Sequence, residues 1–136
     1  GEMPLNEIPP NVEFVSPEKI REELKNIFQK IYFDFDSYKI KKEYHKILKN
    51  IADYLIKNPG ILVMIEGHCD ERGPREYNLV LGEQRALSVR KFLILMGVSS
   101  KRLFTVSYGE DKPSDPRHCE EAWAKNRRCH FIITSK

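Results

Sequence analysis

No apolar run in this sequence approaches the roughly 18–20 residues that a helix needs to cross a bilayer. Charge of one sign is also lacking: 23 basic residues stand against 20 acidic ones, a net charge of +3. That balance, with lysines scattered and not striped, argues against a nucleic-acid partner. None of the three cysteines, Cys69, Cys119 and Cys129, belongs to a CxxC pair, so zinc-ribbon spacing is missing. An odd count prevents full internal pairing. Small, semi-buried free thiols are the expectation for all three, with a Cys119–Cys129 disulfide as the alternative. Internal repeats and low-complexity segments are absent. The opening GEMPLNEIPP is polar and Pro-rich and lacks a signal-peptide pattern, which says little of compartment because leaders are removed.

What is present suits one well-solvated domain with one core: 136 residues, 40% hydrophobic and 32% charged. Residues 1–16 carry Pro4, Pro9 and Pro10 among polar groups and read as a flexible tether or loosely docked arm. The domain is expected over 17–136. Ser16-Pro17-Glu18 is a helix start, predicting a short helix to about Phe28. Ile31–Phe35 reads as a strand. Ile40, Tyr44, Ile47, Ile51 and Leu55 mark one face of a helix to about Lys57, stopped by Asn58-Pro59-Gly60. Ile61–Glu66, a continuous apolar run, predicts a buried strand. A polar loop over 67–76 follows, turning at Gly73-Pro74. The next helix is predicted over about Tyr77–Met96, with Gly82, Ala86, Val89 and Leu93 as its core stripe and Gly97 as a left-handed cap. Leu103–Tyr108, a helical turn near Glu120–Lys125 and a last strand in CHFIIT complete the order strand, helix, strand, helix, strand, short helix, strand. This alternation predicts a two-layer α/β (α+β) sandwich, a four-stranded mixed sheet with helices on one side.

The chemistry concentrates in IEGHCDERGPREYNLVLGEQRA. Asn78, Leu81 and Arg85 fall at i, i+3 and i+7 on one helical stripe, beside the core stripe, so Arg85 is expected at its rim with a packed stem and a free head. The plainer alternative is a surface arginine in a salt bridge. Asp70 lies where the buried strand exits, the usual ligand crevice of such folds. An Asp and an Arg across a crevice bind a zwitterion: the carboxylate takes an ammonium and the guanidinium forks onto a carboxylate. Backbone N–H groups at the start of the helix would add to anion binding.

The enzyme readings are weaker. His68 and Cys69 are adjacent on an extended chain and point to opposite sides, so they do not readily share a proton. A metal site from His68, Asp70, His118 and Cys119 has no ligand spacing. His68 reads as a structural histidine, and Asp34 and Asp36 as loop caps with one acid near the crevice. Of Arg127 and Arg128, one is expected to support the crevice and the other to point away. Trp123 reads as core. No catalytic residue, metal or cofactor is expected.

Taken together, YFDFDSYKI, the long central motif above, VSYGEDKP and WAKNRR, spread over about residues 31–134, resemble the OmpA-like peptidoglycan-binding domain. GHCDERG and LGEQRA favour the family's lipoproteins over its porin-tail and flagellar-stator members. The resemblance implies an OmpA C-terminal-like fold and non-catalytic binding of the diaminopimelate residue of the cell-wall stem peptide. By it, Asp70 would contact the ammonium and Arg85 the carboxylate. Asn78 and Leu81 would line the same wall, Phe35 and Asp36 the facing edge, and Arg72 and Arg127 would add donors. It also implies peptidoglycan and a TolB-like periplasmic protein as partners, a role in the Tol-Pal system, and an outer-membrane lipid anchor that is not in this sequence.

Overall fold

The computed structural model describes residues 5–135. Four strands form one sheet: β1 (Ile31–Tyr32), β2 (Val63–His68), β3 (Leu103–Gly109) and β4 (Arg128–Ile133), in the order β1-β4-β2-β3. β2 and β3 are parallel, and β4 runs antiparallel to both β1 and β2. The helices are α1 (Pro17–Ile20), α2 (His45–Lys57), α3 (Arg75–Leu95) and α4 (Glu120–Asn126), with short 3-10 segments at Glu22–Asn26, Lys42–Tyr44 and Ser100–Arg102. This is the mixed-sheet α+β fold that the strand-helix alternation predicts.

The core follows from period. Val63, Ile65, Cys129, Phe131 and Ile133 alternate onto one face of the sheet and are buried with Ala86, Val89 and Leu93 of α3 and Leu48, Ile51 and Leu55 of α2. At Gly67 the strand backbone meets the α3 backbone at Gly82 so closely that a Cβ on Gly67 would lie 1.8 Å from the Gly82 carbonyl oxygen. Two glycines in register thus seat the second turn of α3 directly on the end of β2. Gly97 closes α3 with φ 107, the left-handed cap that its position predicts.

Three elements depart from expectation. β1 ends at Tyr32 and not at Phe35. Phe33 still donates to the Arg127 carbonyl at 2.9 Å, but the chain then turns, and Asp36 takes φ 52. The expected first helix is a single α-turn plus a 3-10 segment, broken at Arg21, whose φ of −155 is extended. β2 starts two residues late but runs on to His68, with a register shift at Gly67/His68.

Of the arm expected over 1–16, residues 1–4 lie outside the described residues. The remainder touches the domain near its two ends. Asn6 Nδ2 donates to the Ser100 and Leu103 carbonyls (2.6 and 3.2 Å), Phe14 packs edge-on against Phe104, and Val15 pairs with Ile133.

Candidate functional site

At the exit of β2 the chain leaves the sheet through Cys69, whose N–H donates to the Gly109 carbonyl (2.8 Å), and enters the loop that leads to α3. Gly73, at φ 96, makes the turn, and Pro74 N-caps α3. Asn78, one turn into α3, latches the loop: its Nδ2 donates to the Arg72 carbonyl (3.0 Å), the Asp70 carbonyl (3.4 Å) and Glu110 Oε1 (3.0 Å). The result is a cavity of about 270 Å³ between this loop, the first face of α3 and the turn after β1. Phe35, Asp36, Asp70, Arg72, Asn78, Leu81 and Arg85, seven residues singled out from the sequence, all line it. Arg127 does not line it. It stands behind Asp70, donating to Asp70 Oδ2 (3.4 Å), Glu120 Oε1 (3.2 Å) and the Phe33 carbonyl (2.9 Å).

Arg85 is buried more deeply than its place beside the core stripe suggests. It is 1% exposed, and its head is not free. Nε donates to the Ser37 carbonyl (2.8 Å), Nη1 to the His68 carbonyl (2.9 Å) and Nη2 to the Asp34 carbonyl (3.1 Å). Three of a guanidinium's five donors are thereby fixed and two remain. The partners are carbonyl oxygens, which orient the charge without neutralising it. Burial pushes the arginine's pKa down, so the cation is held at a place where an anion would relieve it. The α3 stripe explains the depth: the turn after β1 folds over Arg85, a long-range closure that helical period does not encode.

Asp70 is 4% exposed and has the opposite situation. Its Oδ1 accepts from the Arg72 backbone N–H (3.0 Å) and Nε (3.2 Å), and its Oδ2 from Arg72 Nη2 (2.9 Å) and Arg127 Nη1 (3.4 Å). Burial would raise its carboxyl pKa, but the two guanidinium groups outweigh burial and hold it below the usual carboxylate range.

The Arg72 guanidinium lies over the Phe35 ring (4.1 Å to the centroid) and the Trp123 ring (4.2 Å). Trp123, expected in the core, is therefore a stacking partner. Nothing in the local sequence brings α4 over residue 72. Tyr77 also lines the cavity and donates its hydroxyl to Asp36 Oδ1. Its signal was present: it stands four residues before Leu81 and eight before Arg85, on their helical stripe.

The other candidates separate from the cavity. His68 turns to the opposite face of the sheet, where its Nε2 and His130 Nδ1 share Glu66 Oε1 (3.3 and 3.2 Å). His118 Nδ1 pairs with Glu71 (2.6 Å). His68, Asp70 and His118 thus have different partners, and among the described residues no cluster of His, Cys, Asp and Glu could hold a metal ion. Cys69 faces Asn78, its Sγ donating to the Asn78 carbonyl (3.2 Å), and burial pushes its thiol up to about 11. All three cysteines are free thiols. Arg127 supports the cavity from behind, while Arg128 points away to the Asn126 and Lys112 carbonyls. Asp34 takes an ion pair with Lys41 (3.0 Å) outside the cavity. Among the described residues no helix is long and apolar enough to cross a membrane.

The chain belongs to the OmpA family, whose sequence profile matches residues 32–127. Among its relatives is the peptidoglycan-associated lipoprotein of Haemophilus influenzae, 46% identical over 78% of this chain and 69% of that protein. The crystal structure of the peptidoglycan-associated lipoprotein from Burkholderia pseudomallei is similar over 76% of this chain and 88% of that one, with 43% identity and a TM-score of 0.76. The C-terminal domain of Helicobacter pylori MotB shares the fold at 25% identity and a TM-score of 0.72, over 77% and 83%.

Proposed function

We propose that this chain is a non-catalytic module that binds peptidoglycan non-covalently through the diaminopimelate residue of the stem peptide. In the full-length protein it would tether the outer membrane to the cell wall from the periplasmic face, within the Tol-Pal system. A lipid anchor and a TolB-like partner belong to the same reading. The observation that carries it is Arg85: a buried guanidinium, matched by carbonyls and not by a carboxylate, at the wall of a cavity sized for one amino-acid head group. The free end of diaminopimelate is such a head group, with an ammonium and a carboxylate on one carbon. The carboxylate goes to the two open donors of Arg85, with Arg72 beside it. The ammonium goes to Asp70, with Asp36 on the facing edge. Phe35, Asn78 and Leu81 shape the space between, and Arg127 braces Asp70.

The lipoprotein relatives support this role over that of a stator domain, because identity to them is 43–46% against 25% for MotB. A thiol-hydrolase role is disfavoured by Cys69, whose buried thiol is pushed up to about 11 and has too little thiolate at neutral pH to attack. The test is co-sedimentation with purified sacculi, with free diaminopimelate as competitor. The chain should sediment with sacculi, be released by the competitor and liberate no soluble muropeptide. Failure to sediment overturns the reading.

A further inference from the structure

We propose that the end of the domain farthest from the cavity is a docking surface for a lipid bilayer that carries anionic headgroups. The inference goes beyond the proposed function and does not rest on it. The cavity stands at the start of α3 and this surface at its end, 21 residues and about 30 Å away.

Ten large apolar side chains stay exposed among the described residues, and five of them gather here: Leu5 (61%), Ile8 (53%), Ile56, Leu95 (68%) and Met96. Single exposed apolar residues are ordinary, but a cluster marks a contact surface. Hydrogen bonds between distant segments hold this one together. Asn6, beside Leu5 in the arm, donates to the Ser100 carbonyl (2.6 Å), which also accepts from Arg90 Nη2 (3.1 Å). Arg102 reaches across to the turn after α2, donating from Nε to the Ile61 carbonyl (3.0 Å) and from Nη2 to the Asn58 carbonyl (2.8 Å). Ile56 abuts Gly97, its Cδ1 lying 3.4 Å from where a Cβ would stand there. The ends of α2 and α3 and the start of the arm thus form one surface that needs no refolding to be presented.

The charge decides what it fits. Segments 5–8, 54–60 and 91–102, which build this end, carry four bases, Lys57, Lys91, Lys101 and Arg102, against one acid, Glu7. That excess equals the net charge of the whole chain, +3, so the rest of the molecule is balanced. The next acid along α2, Asp53, stands one turn back from Lys57. All three lysines are exposed, and among the described residues none has an ion-pair partner. Two copies of the chain brought face to face here would oppose like charges, which disfavours a second copy as the occupant. An anionic bilayer supplies both complements at once. Its phosphates meet the lysines, whose stems can lie along the surface, and its acyl boundary takes the apolar side chains.

The test is flotation of the chain with vesicles of phosphatidylethanolamine and phosphatidylglycerol, beside vesicles of phosphatidylcholine alone. The chain should float with the anionic vesicles, less so as salt rises, and not with the neutral ones. Lys57→Glu/Lys101→Glu should bind the anionic vesicles at least about tenfold more weakly. Leu5→Ser/Leu95→Ser should lose about as much, which charge attraction alone would not give. Lys42→Glu/Lys46→Glu, at the other end of α2, makes the same change in net charge and should bind like wild type. All six positions are exposed, so each variant should melt like wild type. Wild-type chain that does not float overturns the proposal. Equal loss in the two lysine pairs also overturns it, because the attraction is then diffuse, and so does full binding by Leu5→Ser/Leu95→Ser. Self-association that the serine pair abolishes, without flotation, gives the face to a second copy and overturns it as well.

Discussion

Gly67 and Gly82 touch backbone to backbone, one at the end of β2 and the other two turns into α3. A Cβ on Gly67 would lie 1.8 Å from the Gly82 carbonyl oxygen, which no rotamer relieves. Gly67→Ala therefore has to push α3 off the sheet and should destabilise the domain by about 3 kcal/mol, the upper range for overpacking. Gly82→Ala meets the Ser107 hydroxyl at 2.3 Å and the Gly67 carbonyl oxygen at 3.0 Å. The hydroxyl can rotate away, and alanine favours helix by ~1 kcal/mol, so its loss should be smaller. Thermal melts of the two variants check the order, and Gly82→Ala melting below Gly67→Ala would contradict it.

Arg85 should behave as a structural and a binding residue at once. Arg85→Ala leaves the Asp34, Ser37 and His68 carbonyls without their donor. The His68 carbonyl is the fully buried one of the three, and such a group left unpaired costs about 1–3 kcal/mol. The variant should lose sacculus binding and also melt well below wild type. A variant that melts like wild type would mean that the turn after β1 does not depend on Arg85.

Ligand choice follows from the same residue. A stem peptide with lysine in place of diaminopimelate keeps an ammonium but has no carboxylate for Arg85. It should bind at least tenfold more weakly, which is about 1.4 kcal/mol. Equal affinities for the two peptides in a competition assay would remove Arg85 from the recognition.

Acid stability should be set on the far face of the sheet. Burial would raise the Glu66 carboxyl, but hydrogen bonds from His130 and His68 outweigh it and bring it down from 4.5 to about 2. A carboxylate depressed in the fold contributes stability that is complete above pH 4.5 and lost as pH falls toward 2. His68 acts higher on the scale. Burial lowers its pKa from 6.5, so the fold favours the neutral ring and stability declines once pH drops below 6.5. Melting temperature should therefore fall in both ranges, and Glu66→Gln should flatten the segment between pH 4.5 and 2. An unchanged profile in that variant would place the acid sensitivity elsewhere.

The thiols should be inert in the folded chain. Burial pushes the Cys69 thiol up to about 11 and the Cys129 thiol higher still. Iodoacetamide at pH 8 should label Cys119 first, with Cys69 and Cys129 reacting only in denaturant. Rapid native labelling of Cys69, read by mass spectrometry, would show the loop after β2 opening.

Much of this site was legible in the chain because it is local. The α3 stripe of Asn78, Leu81 and Arg85 follows from helical period, Asp70 from its place after an apolar run, and the loop from Gly73-Pro74. What period cannot encode is closure between distant segments. The turn after β1 buries Arg85, α4 brings Trp123 over Arg72, and Arg127 saturates Asp70 from the last strand's threshold. Each changes which donors and acceptors are open, so the lining was readable before its division of labour was. The short β1 has the same origin: its apolar pattern continues to Phe35, but Phe35 is 58% exposed and faces Arg72 in place of the sheet.

The docked arm has a mechanical consequence. β2 and β3 are parallel, so the cavity sits at their shared C-terminal end, whereas Asn6 is fastened to Ser100 and Leu103 at the start of β3. Seven residues of strand separate the two, about 23 Å at ~3.3 Å per residue. On the proposed function, a load between an anchor joined to the arm and a polymer in the cavity would therefore run lengthwise through the sheet. It would pull along the strands, loading their rungs in shear together and not unzipping them one after another.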